Sequence, residues 1–291
     1  MNDPRQIRVE SPDVQRTDPH ERGSTSRAWA SAAAWTEPRP GTLDVWSIDL
    51  RAPQGEPEIL DPLERARAAR FVIDAPRLQF SRARAGLRRI LGRSLGRDPR
   101  EIAFEIGRHG RPSLPAALAT SASGTVDFNL SHSGELALVA VAFPGSARAV
   151  QLGVDVEEER GNRPFDRLAE RFFAPPEVAQ YRVFPAAERV SAFYRGWTRK
   201  EAYLKAWGTG LTFSSRRFVV DLDPAPSSGE LLRATEMAGD DGAGWRFADL
   251  APAAGYPGAL CFRGAVEDVR RFALDPAGPA GASGAAAGDG R

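Results

Sequence analysis

Cysteine is all but missing from this chain. Cys261 stands alone among 291 residues, which excludes an intramolecular disulfide framework and fits a reducing compartment. Only three histidines accompany it, so a soft-metal site lacks ligands, and any metal should be a hard cation held by oxygen. No apolar run approaches the roughly 18 residues of a membrane-spanning helix. The amino terminus, MNDPRQIRVESPDV, lacks the charged-then-apolar order of a secretory signal. A cytoplasmic protein without a membrane partner is expected. Net charge is +1, which provides no global field for nucleic acid. Lysine is the scarcest charged residue: of 39 basic side chains, only Lys200 and Lys205 are lysines. Arginine keeps its proton in a protein, whereas lysine is a compact charge that can release one. Both lysines lie in one short stretch, which singles that stretch out.

What is present has the composition of an ordinary globular protein, 42% hydrophobic and 26% charged. Residues 1–40, polar and rich in Pro, Ser and Arg, read as a disordered extension. Residues 276–291, ending in AGPAGASGAAAGDGR, read as a disordered low-complexity tail. Between them, Asp44–Leu50 alternates in the manner of a strand, and Pro62–Phe71 and Arg77–Leu95 read as helices. GRHGRPSLP (Gly107–Pro115) is a turn-rich loop. Val126–Leu130 and Leu136–Phe143 form a hairpin around Ser133-Gly134; its second arm, LALVAVAF, is apolar on both faces and should be a buried central strand. Leu152–Glu157 is another strand, Phe165–Phe173 a helix, and Pro-Pro-Glu opens the next. A long helix runs from about Ala186 to Trp207 and stops at Gly208 and Gly210. Strands follow near Phe218–Leu222, Gly244–Phe247 and Ala259–Phe262. The mixture is α+β.

Three places can carry chemistry. In LGVDVEEE, strand alternation sends Leu152, Val154 and Val156 one way and Gly153, Asp155 and Glu157 the other. Two carboxylates so spaced lie roughly 7 Å apart at the backbone, near enough to share a divalent cation. Alone, they read first as a solvated strand end. On the long helix, Val190, Phe193, Trp197 and Leu204 make a core-facing stripe that also contains Glu201, with Lys205 at its edge. A carboxylate there is costly unless paired or metal-bound. An i,i+4 pair with Lys205 contributes only about 0.2–0.5 kcal/mol, so a third ligand for the Asp155/Glu157 cation explains it better. His132, in Asn-Leu-Ser-His-Ser-Gly at a hairpin tip, is a candidate phosphate donor with Ser131 beside it. Between Glu64 and Arg111 there are 13 arginines against five acids, a patch suited to a small polyanion or simply a solvated helix face.

NLSHSG (Asn129–Gly134), GVDVE (Gly153–Glu157) and WTRKEAYLKAWGTGL (Trp197–Leu211) together resemble the 4′-phosphopantetheinyl transferases, in order and in spacing. The length is similar to that of the larger, single-chain (surfactin-synthetase-activating) type, and the resemblance covers about residues 41–265. It implies two pseudo-symmetric α/β halves, each a mainly antiparallel sheet on a long helix. Residues 41–150 would be the half that contacts the adenosine and phosphates of coenzyme A. Residues 151–275 would carry the magnesium and catalytic motifs. It further implies Mg²⁺, with Mn²⁺ an acceptable substitute, held by Asp155, Glu157 and Glu201, and coenzyme A as substrate. Lys205 would stabilise or protonate the transferring phosphate and leaving group. Ser131 and His132 would contact the phosphates, and Arg67, Arg84 and Arg111 would hold the adenosine with its 3′-phosphate. Glu177 resembles an acidic position near the site. Arg111 stands where the family often has lysine in a G-K-P turn, and Glu64 where a helix position is sometimes basic. The implied partner is an acyl or peptidyl carrier domain of a fatty acid, polyketide or nonribosomal peptide synthase, acting with a monomeric enzyme. Glu201, directly or through a metal-bound water, would accept the serine proton. Two rivals stay open: a magnesium-dependent pyrophosphohydrolase of coenzyme A or nucleotides, and a non-catalytic carrier-binding homologue.

Overall fold

The computed structural model describes residues 29–107, 110–121, 124–144, 150–208, 213–224 and 232–277. Strand β1 (Ala30–Ser31) precedes β2 (Thr42–Asp49), helices α1 (Pro62–Ala69) and α2 (Asp74–Leu95), and the short strands β3 (Glu105–Ile106) and β4 (Pro112–Ser113). The turn α3 (Ala116–Ala119) leads through β5 (Thr120–Ser121) and β6 (Gly124–Thr125) to the hairpin β7 (Asp127–Ser133) and β8 (Leu136–Phe143). After β9 (Gln151–Val156) come α4 (Phe165–Phe172), α5 (Pro175–Val183) and α6 (Arg189–Trp207). Strands β10 (Phe218–Val220), β11 (Leu232–Thr235), β12 (Arg246–Ala253), β13 (Tyr256–Arg263) and β14 (Asp268–Leu274) complete the described chain. The α+β class is as expected from the sequence. Among the described residues no helix is long and apolar enough to cross a membrane.

Three apolar clusters fix the layering. Trp46, Ile48, Val139 and Val141 pack with Leu87, Ile90 and Leu91, which places α2 on one face of the sheet β1-β14-β2-β8-β7. The opposite face offers Leu43, Val45, Leu138 and Ala140 to Leu152, Val154, Leu260 and Phe262, which belong to the second sheet, β12-β13-β9. The far face of that sheet meets α6, with Ala259 and Cys261 against Phe193, Tyr203 and Leu204. The order is therefore helix, sheet, sheet, helix. Strand β8 is apolar on both faces because it is buried on both, with every residue at 9% exposure or less.

The chain ends depart from the sequence reading. From sequence, residues 29–40 read as part of the disordered extension, yet β1 pairs with β14, and Trp35 packs on Trp46 while its indole N–H donates to Asp44 Oδ2 at 2.8 Å. Two tryptophans give this segment the apolar area that its polar neighbours lack. The sequence pattern also gives no strand over 268–274, whose adjacent arginines obscure the alternation. That segment, counted by chain order with the second half, lies parallel to β2 inside the first sheet. Ala277, the second residue of the expected tail, donates its N–H to the carbonyl of Pro53. Residues 1–28 and 278–291, together with Gly210, lie outside the described residues.

Candidate active site

The two sheets meet edge to edge where β7 runs beside β9, and side chains of β7 join the edges. Asn129 Oδ1 accepts the Val154 N–H at 2.9 Å, Ser131 Oγ donates to Asp155 Oδ1 at 2.8 Å, and Ser133 Oγ donates to Glu157 Oε2 at 2.9 Å. The period-2 alternation of both strands creates this zipper. It also separates Ser131 from His132. The imidazole points to the other face of β7, and it lies within the strand rather than at the hairpin tip expected from sequence.

Helix α6 comes down on the opposite side of β9. Gly153 makes the approach possible: a Cβ there would lie 2.1 Å from the Ala202 carbonyl oxygen and 2.4 Å from the Ala206 nitrogen. The contact brings Lys205 Nζ to 2.6 Å from Asp155 Oδ1, 2.8 Å from Ser131 Oγ and 3.3 Å from the Val154 carbonyl. Trp197, two turns earlier, donates its indole N–H to Glu157 Oε1 at 3.1 Å.

Among the described residues, no three His, Cys, Asp or Glu side chains stand as a ready metal-binding group. The sequence expectation of one shared coordination sphere is therefore not met as the side chains lie. In this arrangement Lys205 is bonded to one oxygen of Asp155, and Ser133 and Trp197 are bonded to the two oxygens of Glu157. Two buried carboxylate oxygens are nevertheless left without a hydrogen-bond partner, Asp155 Oδ2 and Glu201 Oε1. Such atoms are costly in a folded protein and call for a cation or a donor. Burial, then the neighbouring Asp155 carboxylate, raises the pKa of Glu157, and the same causes push Glu201 up to about 7. The three acids thus stand close enough to repel one another. An all-oxygen donor set with uncompensated negative charge suits a hard divalent ion.

A cleft of about 280 Å³ opens on the first half, walled by Arg67, Phe80, Arg84, Phe104 and His132. Arg67 lies over the Phe80 ring at 5.0 Å. Arg84 is buried, its Nε on Glu64 Oε1 at 2.6 Å and its guanidinium over Phe104 at 4.4 Å. Glu64, which replaces a possible base, therefore anchors arginine. Its other oxygen accepts Arg88 Nε at 2.6 Å. The His132 pKa is lowered, by desolvation first and then by the cations Lys205 and Arg67. Arg111 is turned away from the cleft and is bonded to Asp127, Phe128 and Lys205. Glu177 is not at the site. It is buried beneath α6, on Lys200 Nζ and the backbone N–H groups of Val220 and Ala174.

Comparison with known proteins agrees with this arrangement. The profile of the 4′-phosphopantetheinyl transferase superfamily matches residues 151–261, the span that contains β9 and α6. The 4′-phosphopantetheinyl transferase HetI of Nostoc sp. is 39% identical over 173 residues, 58% of this chain and 70% of the relative. The chain belongs to the 4′-phosphopantetheinyl transferase family. It is thus a transferase enzyme. A phosphopantetheinyl transferase of Thraustochytrium sp. is 29% identical over 226 residues, covering 69% of this chain and 75% of that protein. A human L-aminoadipate-semialdehyde dehydrogenase-phosphopantetheinyl transferase is 27% identical over 229 residues, 75% and 69% of the two chains.

Sequence reasoning missed several residues of the candidate site. Trp197 was placed on a core stripe, and only its indole N–H reveals the polar task. Asn129 and Ser133 flank the noticed Ser131 at the same period and could have been found by extending the alternation. The Glu64–Arg84 tie joins two helices and has no local signal.

Proposed function

We propose that the enzyme moves the 4′-phosphopantetheine arm of coenzyme A onto a serine of an acyl or peptidyl carrier domain, in an Mg²⁺-dependent reaction that releases adenosine 3′,5′-bisphosphate. One observation carries this reading: three carboxylates and one ammonium meet at the β9–α6 contact, with Asp155 Oδ2 and Glu201 Oε1 buried and unpaired. Asp155, Glu157 and Glu201 would hold the ion, which when bound supplies positive charge for the pyrophosphate.

The remaining steps belong to the chain's own residues. Arg67 and Arg84 face the cleft as cations for the adenosine 3′-phosphate, with Phe80 and Phe104 as its apolar walls. His132 and Ser131 contact the pyrophosphate from the two faces of β7. The carrier serine oxygen forms a bond to the phosphorus next to pantetheine, and the bridging P–O bond breaks. Glu201 accepts the serine proton. Lys205, already beside Asp155, neutralises the departing phosphate oxygen or gives it a proton. Catalysis is mainly positioning and electrostatics, as in other phosphoryl transfers.

Purified enzyme, coenzyme A, Mg²⁺ and a carrier domain provide the test, read by mass spectrometry of the carrier. A gain of one phosphopantetheine mass is expected, and chelation should suppress it. No gain on any of several carriers would overturn the proposal. Release of adenosine 3′,5′-bisphosphate at the same rate without carrier would replace transfer by hydrolysis.

A further inference from the structure

Arg111 lies in a tight turn between β3 and β4. The Gly107 N–H closes the turn on the Arg111 carbonyl at 2.9 Å, and Gly110 takes the left-handed φ of +77° that aims the next residue. Gly110 and Pro112 both face the cleft. The guanidinium between them goes the other way. Nη1 donates to the Lys205 carbonyl at 3.1 Å; Nη2 donates to Asp127 Oδ2 at 3.1 Å and to the Phe128 carbonyl at 3.2 Å. The Lys205 carbonyl belongs to the last turn of α6, where carbonyls have no donor within the helix, and a cation there also complements the helix dipole. Asp127 and Phe128 begin β7, the strand whose Ser131 receives the Lys205 ammonium. The two halves are therefore linked twice through one residue, by Arg111 at its backbone and by Ser131 at its side chain.

We propose that Arg111 is a positioning residue and not a phosphate ligand: its planar fork braces the end of α6 against β7 and so fixes the Lys205 ammonium on Asp155. This rests on the transfer reading for its effect on turnover. A lysine at this position is a single point charge and cannot bridge three acceptors in a plane.

Two variants separate the roles. Arg111→Lys keeps the charge and removes the fork. Asp127→Asn weakens the anchor, and a carboxylate has no part in holding phosphate. For a brace, Arg111→Lys lowers kcat on the order of ten- to a hundred-fold, and Asp127→Asn lowers it in the same direction by less. The KM and calorimetric Kd for coenzyme A should stay within about twofold in both. Amide exchange over residues 200–207 should quicken in both, while the melting transition stays cooperative. A rise of about tenfold in KM and Kd for Arg111→Lys, with Asp127→Asn silent, would make Arg111 a phosphate ligand and overturn the proposal. Unchanged kcat and unchanged exchange in both variants would overturn it as well. If the wild-type enzyme transfers nothing, the transfer reading fails by itself. The exchange and coenzyme A affinity measurements still decide whether Arg111 braces α6.

Discussion

The two halves use the same tie between a short helix and a long one, and they use it differently. In the first, Glu64 is the third residue of α1, closes a capping box with Asp61, and binds Arg84 and Arg88 of α2. In the second, Glu177 is the third residue of α5 and binds Lys200 of α6. The second tie is sealed, with both side chains at 0% exposure, whereas Arg84 retains 10% and lines the cleft. The strands beneath differ in the same sense. Strand β2 sets Trp46 and Ile48 against its helix, while β9 carries Gly153 and Asp155, followed at its end by Glu157, on the face that meets α6. On the proposed reading, a common scaffold acquires chemistry on one side because a glycine and two acids stand at alternate positions of one strand.

That asymmetry can be tested by substitution. The largest effect on catalysis should come from Asp155→Ala, which has no counterpart in the first half. Transfer should fall by about 2–4 kcal/mol in barrier height, with the melting temperature nearly unchanged, measured by the rate of carrier modification. Lys200→Met follows. It leaves Glu177 buried without its counter-charge, and chemical unfolding should show a loss of about 3–5 kcal/mol. Glu177→Leu added to it should recover part of that loss but not all, because the Val220 and Ala174 N–H groups lose their acceptor. Glu64→Gln should cost less than Lys200→Met, since Arg88 keeps Asp61 and the Ile102 carbonyl.

Smaller effects are expected at the glycines on which each helix rests. Gly153→Ala drives a Cβ into the backbone of α6, 2.1 Å from the Ala202 oxygen, and should destabilise by about 2–3 kcal/mol. Gly86→Ala in α2 meets the end of the Ile48 side chain at 2.7 Å, a contact that can yield, and alanine gains about 1 kcal/mol of helix propensity. Its net effect should be close to zero. Equal losses at the two positions in thermal unfolding would show that the second helix does not depend on a closer approach than the first.

Much of the site was legible because strand and helix periodicities are local. The alternation in LGVDVEEE separates the acids from the valines whatever the partner, and Glu201 sits on the apolar stripe of α6 by angle alone. What the acids and lysine then touch was not legible. The Lys205 bond to Asp155, the Trp197 bond to Glu157 and the rotation of Arg111 away from the cleft each join residues far apart in sequence. No pattern in either segment specifies the other.

The sequence by itself determined which faces are polar and where α6 stops, since these follow from backbone geometry and side-chain chemistry. Tertiary structure alone decided that β14 returns to the first sheet, that Glu64 anchors Arg84, and that α6 lies against Gly153. Those outcomes depend on which distant surfaces bury one another, and burial is a property of the assembled layers.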